Sequence, residues 1–161
     1  MKIVIIGSGT GALFSTLTIK KHNREAEIVV LDKKDFELLH PCGLPYVIEG
    51  KVNSFDDLKS QMPKLGQEFH LKTEVLGVNF NEKKVYAKKL ENNEEFNIDY
   101  DQLIIACGSS ALIPPIEGAA EHLNKGLFTI DNFENSFNLS EYVKDSKSAV
   151  VVGAGAIGLE T

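Results

Sequence analysis

A chain of 161 residues is long enough for one domain and a fraction of a second. Its 43% hydrophobic and 25% charged residues are ordinary for a globular protein, and a net charge of −6 with a pI near 5.2 argues against nucleic acid or an acidic membrane as partner. No apolar run approaches the roughly 18 residues that span a bilayer, and two cysteines, Cys42 and Cys107, do not make a secreted disulfide framework, so the expected compartment is the reducing cytoplasm.

In chain order, "KIVIIG" is a continuous β-branched run, the pattern of a strand buried on both faces of a parallel sheet. "GSGTGALFSTLTIKKHN" opens with glycines and becomes helical, with Leu13, Leu17 and Lys20 marking one side and Asn23 near its stop. "AEIVVLD" is a second buried strand, which completes a right-handed βαβ unit. "FDDLKSQMPKLG" reads as helix broken by Pro63. The texture changes from about Phe69. "HLKTEVLGVNF", "KKVYAKKLE" and "EEFNIDYDQLIIA" read as strands, with turns at Asn81–Lys83 and Asn92–Asn93, so a small antiparallel meander follows the βαβ unit. "QLIIACG" then returns to a buried parallel strand, and "DNFENSFNLSEYV" is an amphipathic helix with Asp131 as its N-cap.

The last stretch, "AVVVGAGAIGLE", repeats the opening design of apolar strand, glycine turn and helix start. A helix one turn long leaves its apolar face uncovered, so the expectation is an N-terminal piece of a longer protein: one domain over 1–148, and over 149–161 the first strand and helix start of a second.

The first glycine turn, Gly7-Ser8-Gly9-Thr10-Gly11-Ala12, fits G-x-G-x-x-[GA]. Gly7 allows the tight turn off the strand, Gly9 lets the backbone approach a pyrophosphate, and Ala12 allows close packing of helix on strand. The helix N-terminus offers its free N–H groups to the phosphates. A lone glycine motif is weak, but this one follows a strand, opens a helix and has Asp32 at the end of the next strand to accept from ribose hydroxyls. The second turn carries Gly153, Gly155 and Gly158. Two such turns point to two dinucleotides, a flavin and a nicotinamide being the economical pair.

In order, "VIIGSGTGA", "VVLDKK", "YDQLIIACGSSALIPPIEG" and "AVVVGAGAIGLE" resemble the pyridine nucleotide-disulfide oxidoreductase family over essentially the whole chain. The resemblance implies an α/β fold: a Rossmann-like FAD-binding domain with a parallel sheet and a small antiparallel insertion. It implies FAD at Gly7, Gly9, Thr10, Gly11 and Ala12, with Asp32 and Lys33 after the second strand. It adds Val75, whose backbone meets the adenine, and the turn with Ala106, Cys107 and Gly108, which closes over the flavin. NADH or NADPH would begin at Gly153, Gly155 and Gly158, with most of its site beyond Thr161. The family's later segments and a homodimer partner complete the site, so this stretch alone is expected to bind flavin weakly and to be inactive.

Most members carry a C-x-x-x-x-C pair, and this chain does not. "PCGLPYVIEG" instead resembles the single-cysteine branch, which includes coenzyme A disulfide reductases, persulfide and polysulfide reductases, and NADH oxidases. By that resemblance Cys42 is both the catalytic residue and a flavin neighbour. It alternates between thiolate and a mixed disulfide with coenzyme A, or a sulfenic acid, and acts on a small-molecule disulfide or persulfide. Its place before the helix start "GLPYVIE" would favour the thiolate, and Gly43 beside it would admit a substrate. Cys107, at the end of the buried run "QLIIA", is expected to be shielded. The chain departs from the family in three places. It has Thr10 and Gly11 where NADH oxidases usually carry a histidine, Cys107 where members have threonine, and Asp131 where members often have arginine. No residue is assigned to a metal. The other readings are an NADH oxidase that reduces oxygen and, in a different class, a non-catalytic flavin- or nucleotide-binding module.

Overall fold

The computed structural model describes residues 1–161. Its elements run β1 (Lys2–Ile6), α1 (Thr10–His22), β2 (Glu27–Leu31), β3 (Leu38–Leu39), α2 (Leu44–Ile48), β4 (Lys59–Ser60), β5 (Glu68–His70), β6 (Thr73–Asn79), β7 (Lys84–Lys89), β8 (Glu95–Asp99), β9 (Gln102–Ile105), α3 (Ala119–His122), α4 (Phe133–Val143) and α5 (Ala156–Glu160). The chain divides into two interleaved compact units: Met1–Leu39 with Ser60–Gly108, and His40–Lys59 with Ser109–Thr161. No helix is long and apolar enough to cross a membrane.

The first unit is a Rossmann-type α/β layer. Its sheet has the order β5-β2-β1-β9, and all three pairings are parallel. Alternate residues of β1 serve two cores. Ile3 and Ile5 join Ala12, Ala26, Ile28, Val30, Leu38 and Met62, with Leu13 and Ile19 of α1 packed against them. Val4 and Ile6 join Val29, Leu31, Val85, Ile98 and Tyr100, which brings the antiparallel meander β6-β7-β8 onto the opposite face. Burying a Val or Ile side chain in this way stabilises by roughly 1.5–3 kcal/mol each, which is why a strand apolar on both faces sits at the centre.

Several expectations need correction here. "HLKTEVLGVNF" is not one strand. Glu68–His70 pairs in parallel with β2, from Val29↔Glu68 to Leu31↔His70, before the meander begins at Thr73. Lys72, at φ 49°, makes the break between them. β9 is not buried, because it forms the sheet edge and its Ile105 is 63% exposed. On α1 the buried face is Ala12 and Thr16, while Leu17 lies on the exposed side. The fully buried positions of α1 are thus small residues, with Leu13 and Ile19 flanking them, partly buried against the same core.

The second unit is mostly short helices. "FDDLKSQMPKLG" forms a single 3-10 turn, Phe55–Leu58, in place of a broken helix. Ser54 starts it with a reciprocal capping box to Asp57, and extended chain resumes at Lys59, well before Pro63. Phe55 anchors α4, its ring meeting Phe133 and Phe137 edge-on at 5.4 and 5.9 Å. α4 is capped by Asn132, whose side chain accepts from the Asn135 N–H. Asp131, the expected cap, instead accepts from Thr129, from the Asn135 side chain and from the Ala111 N–H. Residues 149–152 form no strand, since no strand lies beside them to complete a ladder, although the helix start at Ala156 does form.

One buried group lacks a partner. Thr16 is 1% exposed, and its hydroxyl has no hydrogen bond. An unpaired buried hydroxyl costs about 1–3 kcal/mol, and valine has nearly the same shape. Thr16→Val should raise the unfolding free energy by about 1 kcal/mol in a urea titration. An unchanged or lowered value would show that the hydroxyl is satisfied.

Candidate functional site

The first glycine turn is set by backbone contacts in the first unit. Gly7 has φ 97°, a conformation costly for any residue with a Cβ. A Cβ there would also strike the carbonyl of Ala106. Gly7 donates its N–H to the Leu31 carbonyl at 2.8 Å, and Ala106 donates to Ile6 at 2.7 Å, so the ends of β1, β2 and β9 meet at this residue. Gly11 lies against the same place, where a Cβ would stand 3.3 Å from that of Ala106, and Ala12 is fully buried.

Gly9 is different. It is the N-cap of α1 with an unremarkable φ of −88°, and a Cβ built on it meets nothing within 4 Å. A glycine that the fold does not need leaves an open place above the turn. The cap supplies no side-chain hydrogen bond and the first helical turn holds no acid. The N–H groups of Thr10, Gly11 and Ala12 therefore keep the unpaired donors and positive dipole end that suit an anion.

Asp32 lies at this turn. Its carboxylate accepts from the Ser8 N–H at 2.6 Å, the Ser8 hydroxyl at 2.9 Å and the Lys34 N–H at 2.9 Å, and pairs with the Lys34 ammonium at 3.1 Å. That ammonium also reaches the Ser8 hydroxyl at 3.0 Å. Burial of the carboxyl works against its charge, but the N–H groups of Lys34 and Ser8, the Lys34 charge and the Ser8 hydroxyl together outweigh it. They hold Asp32 below its ordinary value of 3.8. The lysine that reaches the turn is Lys34, while Lys33 is exposed. Sequence reasoning missed Ser8 and Lys34, because a side chain between two turn glycines and a strand-end lysine carry no signal until the strand register sets them together. Val75 lies on β6, partly buried, opposite Ala87 and beside an irregularity in the ladder.

Cys107, expected to be shielded, is exposed. It lies just past the end of the edge strand β9, and its thiol reaches only the Ile6 carbonyl at 3.6 Å. Gly108 beside it is exposed as well.

In the second unit Cys42 is also exposed. It sits inside a 3-10 turn, Pro41–Gly43, closed by the Gly43 N–H on the His40 carbonyl at 3.0 Å and followed by the five-residue α2. Gly43 leaves no open space for a substrate, because a Cβ there would strike the Leu58 side chain. The glycine serves packing. The second glycine turn repeats the first in its backbone, with Gly153 at φ 116° and Gly155 as an extended N-cap. A Cβ on Gly158 would strike the Gly153 carbonyl. A groove of about 530 Å³ lined by Phe55, Phe133, Phe137 and Glu141 contains no thiol and no glycine-turn residue.

The family model described as "Pyridine nucleotide-disulphide oxidoreductase" matches residues 1–161. The chain is 38% identical over 166 residues to a protein of Methanocaldococcus jannaschii named NADH oxidase, covering 99% of this chain and 36% of that one. It is 32% identical to the NAD(P)H coenzyme A polysulfide/persulfide reductase of Pyrococcus horikoshii, with the same coverage. Among solved structures, the NAD-dependent persulfide reductase from A. fulgidus superimposes with a TM-score of 0.85 at 30% identity, over 99% of this chain and 30% of that one. The chain thus spans about 36% of the length of the curated relatives it matches.

The ionisation of Asp32 predicts a pH dependence. A carboxyl whose folded-state pKa is lowered stabilises the fold fully above its unfolded value, and that contribution is lost as pH falls through the lower folded value. The stability difference between the parent and Asp32→Asn should therefore be largest near neutrality and shrink below about pH 4. Urea unfolding at a series of pH values measures it. A difference that stays constant with pH would mean that folding does not favour the ionised carboxylate.

Proposed function

Because the chain belongs to the pyridine nucleotide-disulphide oxidoreductase family, we propose that it is the flavin-binding part of an NAD(P)H-dependent reductase that passes electrons to a disulfide or persulfide through Cys42. The observation that carries the flavin half is the turn at Gly7–Ala12: closed below by Ala106, open above Gly9, and backed by an uncapped helix N-terminus. That cradle fits the pyrophosphate of FAD, and Asp32 fits a ribose. Bound flavin would supply two-electron transfer between a reduced nicotinamide and sulfur. Gly153, Gly155 and Gly158 begin the nicotinamide part in this reading, and residues 149–161 its domain.

Within this chain, the α1 N–H groups bind the phosphates, Gly9 leaves room for them and Asp32 orients the ribose. Cys42 carries the sulfur chemistry. Its thiolate attacks one sulfur of a small-molecule disulfide, forming a Cys42 mixed disulfide and releasing one thiolate. Two electrons then cleave the new S–S bond, which restores the Cys42 thiolate and frees the second thiolate, and two protons complete the two product thiols. Relatives named for coenzyme A persulfide and disulfide reduction support coenzyme A as the substrate class. A homodimer in the reducing cytoplasm belongs to the same reading. The relatives named NADH oxidase support a second reading, in which Cys42 cycles through a sulfenic acid and oxygen is the acceptor.

Two variants of the full-length protein test this. A Cβ at position 9 meets no protein atom within 4 Å and needs no unusual φ, so Gly9→Val should fold like the parent while FAD affinity drops at least about tenfold, or 1.4 kcal/mol. Thermal midpoints and flavin content measure the two effects, and parental flavin content in a folded Gly9→Val protein would sink the flavin assignment. Cys42→Ser should keep bleaching of the flavin by NAD(P)H but lose reduction of coenzyme A disulfide. Turnover of that disulfide at the parental rate would remove Cys42 from the mechanism, and oxygen consumption lost in its place would favour the oxidase reading.

A further inference from the structure

The side chain of Ser8 is fully buried between the two glycines that form the turn, and its hydrogen bonds have only one consistent direction. A lysine ammonium can only donate. The Ser8 hydroxyl must therefore accept from Lys34 at 3.0 Å and use its single proton toward Asp32 at 2.9 Å. Lys34 is held at both ends, by its main-chain N–H on Oδ1 of Asp32 and by its ammonium 3.1 Å from Oδ2. Oδ2 also takes the Ser8 main-chain N–H at 2.6 Å. The two carboxylate oxygens thus divide their work. Oδ2 is filled by three contacts that fasten the turn, while Oδ1, with one, keeps acceptor capacity for a ligand hydroxyl.

We propose that Ser8 and Lys34 are positioning residues: acting through Asp32, they fasten the glycine turn in its dinucleotide-receiving shape before the ligand arrives. This rests on the dinucleotide reading above and deepens it. The physical need is clear, since a turn with glycine at positions 7, 9 and 11 has few side chains to restrain it and loses much chain freedom on ordering. A ligand that finds the turn already ordered binds more tightly because that loss is not charged to binding.

The test is FAD titration of the full-length apoprotein, followed by flavin fluorescence, with thermal midpoints confirming that each variant folds. Ser8→Ala and Lys34→Met should each weaken FAD about tenfold, the scale of a charge-assisted hydrogen bond. Lys34→Arg, which keeps the charge and the donors, should stay within about threefold of the parent. In an Asp32→Asn background the same two changes should cost less than about twofold, because the route to the turn runs through the carboxylate. If Lys34→Met costs as much in that background as in the parent, Lys34 acts on the ligand directly and the proposal is overturned. Parental affinity in both Ser8→Ala and Lys34→Met, with affinity lost in Asp32→Asn, also overturns it while leaving the dinucleotide reading standing. A parent protein that binds no FAD sinks the dinucleotide reading itself, and the proposal with it.

Discussion

At Gly7 the main chain passes so close to the Ala106 carbonyl that no side chain fits, and the arrangement of the first unit follows from that approach. The end of the central strand is bonded on both flanks, to Leu31 on one side and Ala106 on the other. With the strand end fixed, α1 begins right after its Gly9 cap, and its first turn stands over the sheet. The register Ile6↔Leu31 then brings the next residues of β1 and β2 together, which is why Asp32 meets Ser8. One close contact sets the turn, the helix start and the acid.

The second glycine turn separates local from long-range causes. Gly153 and Gly155 adopt nearly the backbone angles of Gly7 and Gly9, although Val150 is 90% exposed and no sheet forms around it. Glycine spacing alone therefore produces the bend from extended chain into helix. It does not produce the buried strand, the close carbonyl or the acid beside the turn, since these come from neighbouring strands. The turn is a local property, and the cradle is a property of the sheet.

Exposure does not tell the two cysteines apart. Both are exposed, Cys107 because β9 is a sheet edge and Cys42 because it rides on a tight turn. What marks Cys42 is its setting, with a proline before it, a glycine packed on Leu58 after it and a short helix beyond. Cys107 instead follows a strand end and makes one weak contact, to the Ile6 carbonyl.

The residue pattern alone determined the βαβ opening, the meander and the two glycine turns, because buried β-branched runs, period-two alternation and glycine spacing are local signals. It also singled out Asp32 by position and Cys42 by motif. Tertiary structure decided the rest. Glu68–His70 became a sheet strand because β2 offered it an edge. Phe55–Leu58 shrank to one turn because Ser54 capped it and extended chain resumed at Lys59. Asn132 displaced Asp131 as the cap because Asp131 was already engaged by Thr129, Ala111 and Asn135. Lys34 meets Asp32 locally, two residues on, but Ser8 joined the pair only through the pairing of β1 with β2. The contacts of Glu68–His70 with β2 and of Ser8 with Asp32 link residues far apart in the chain, and their energies depend on register and packing that no local window of sequence contains.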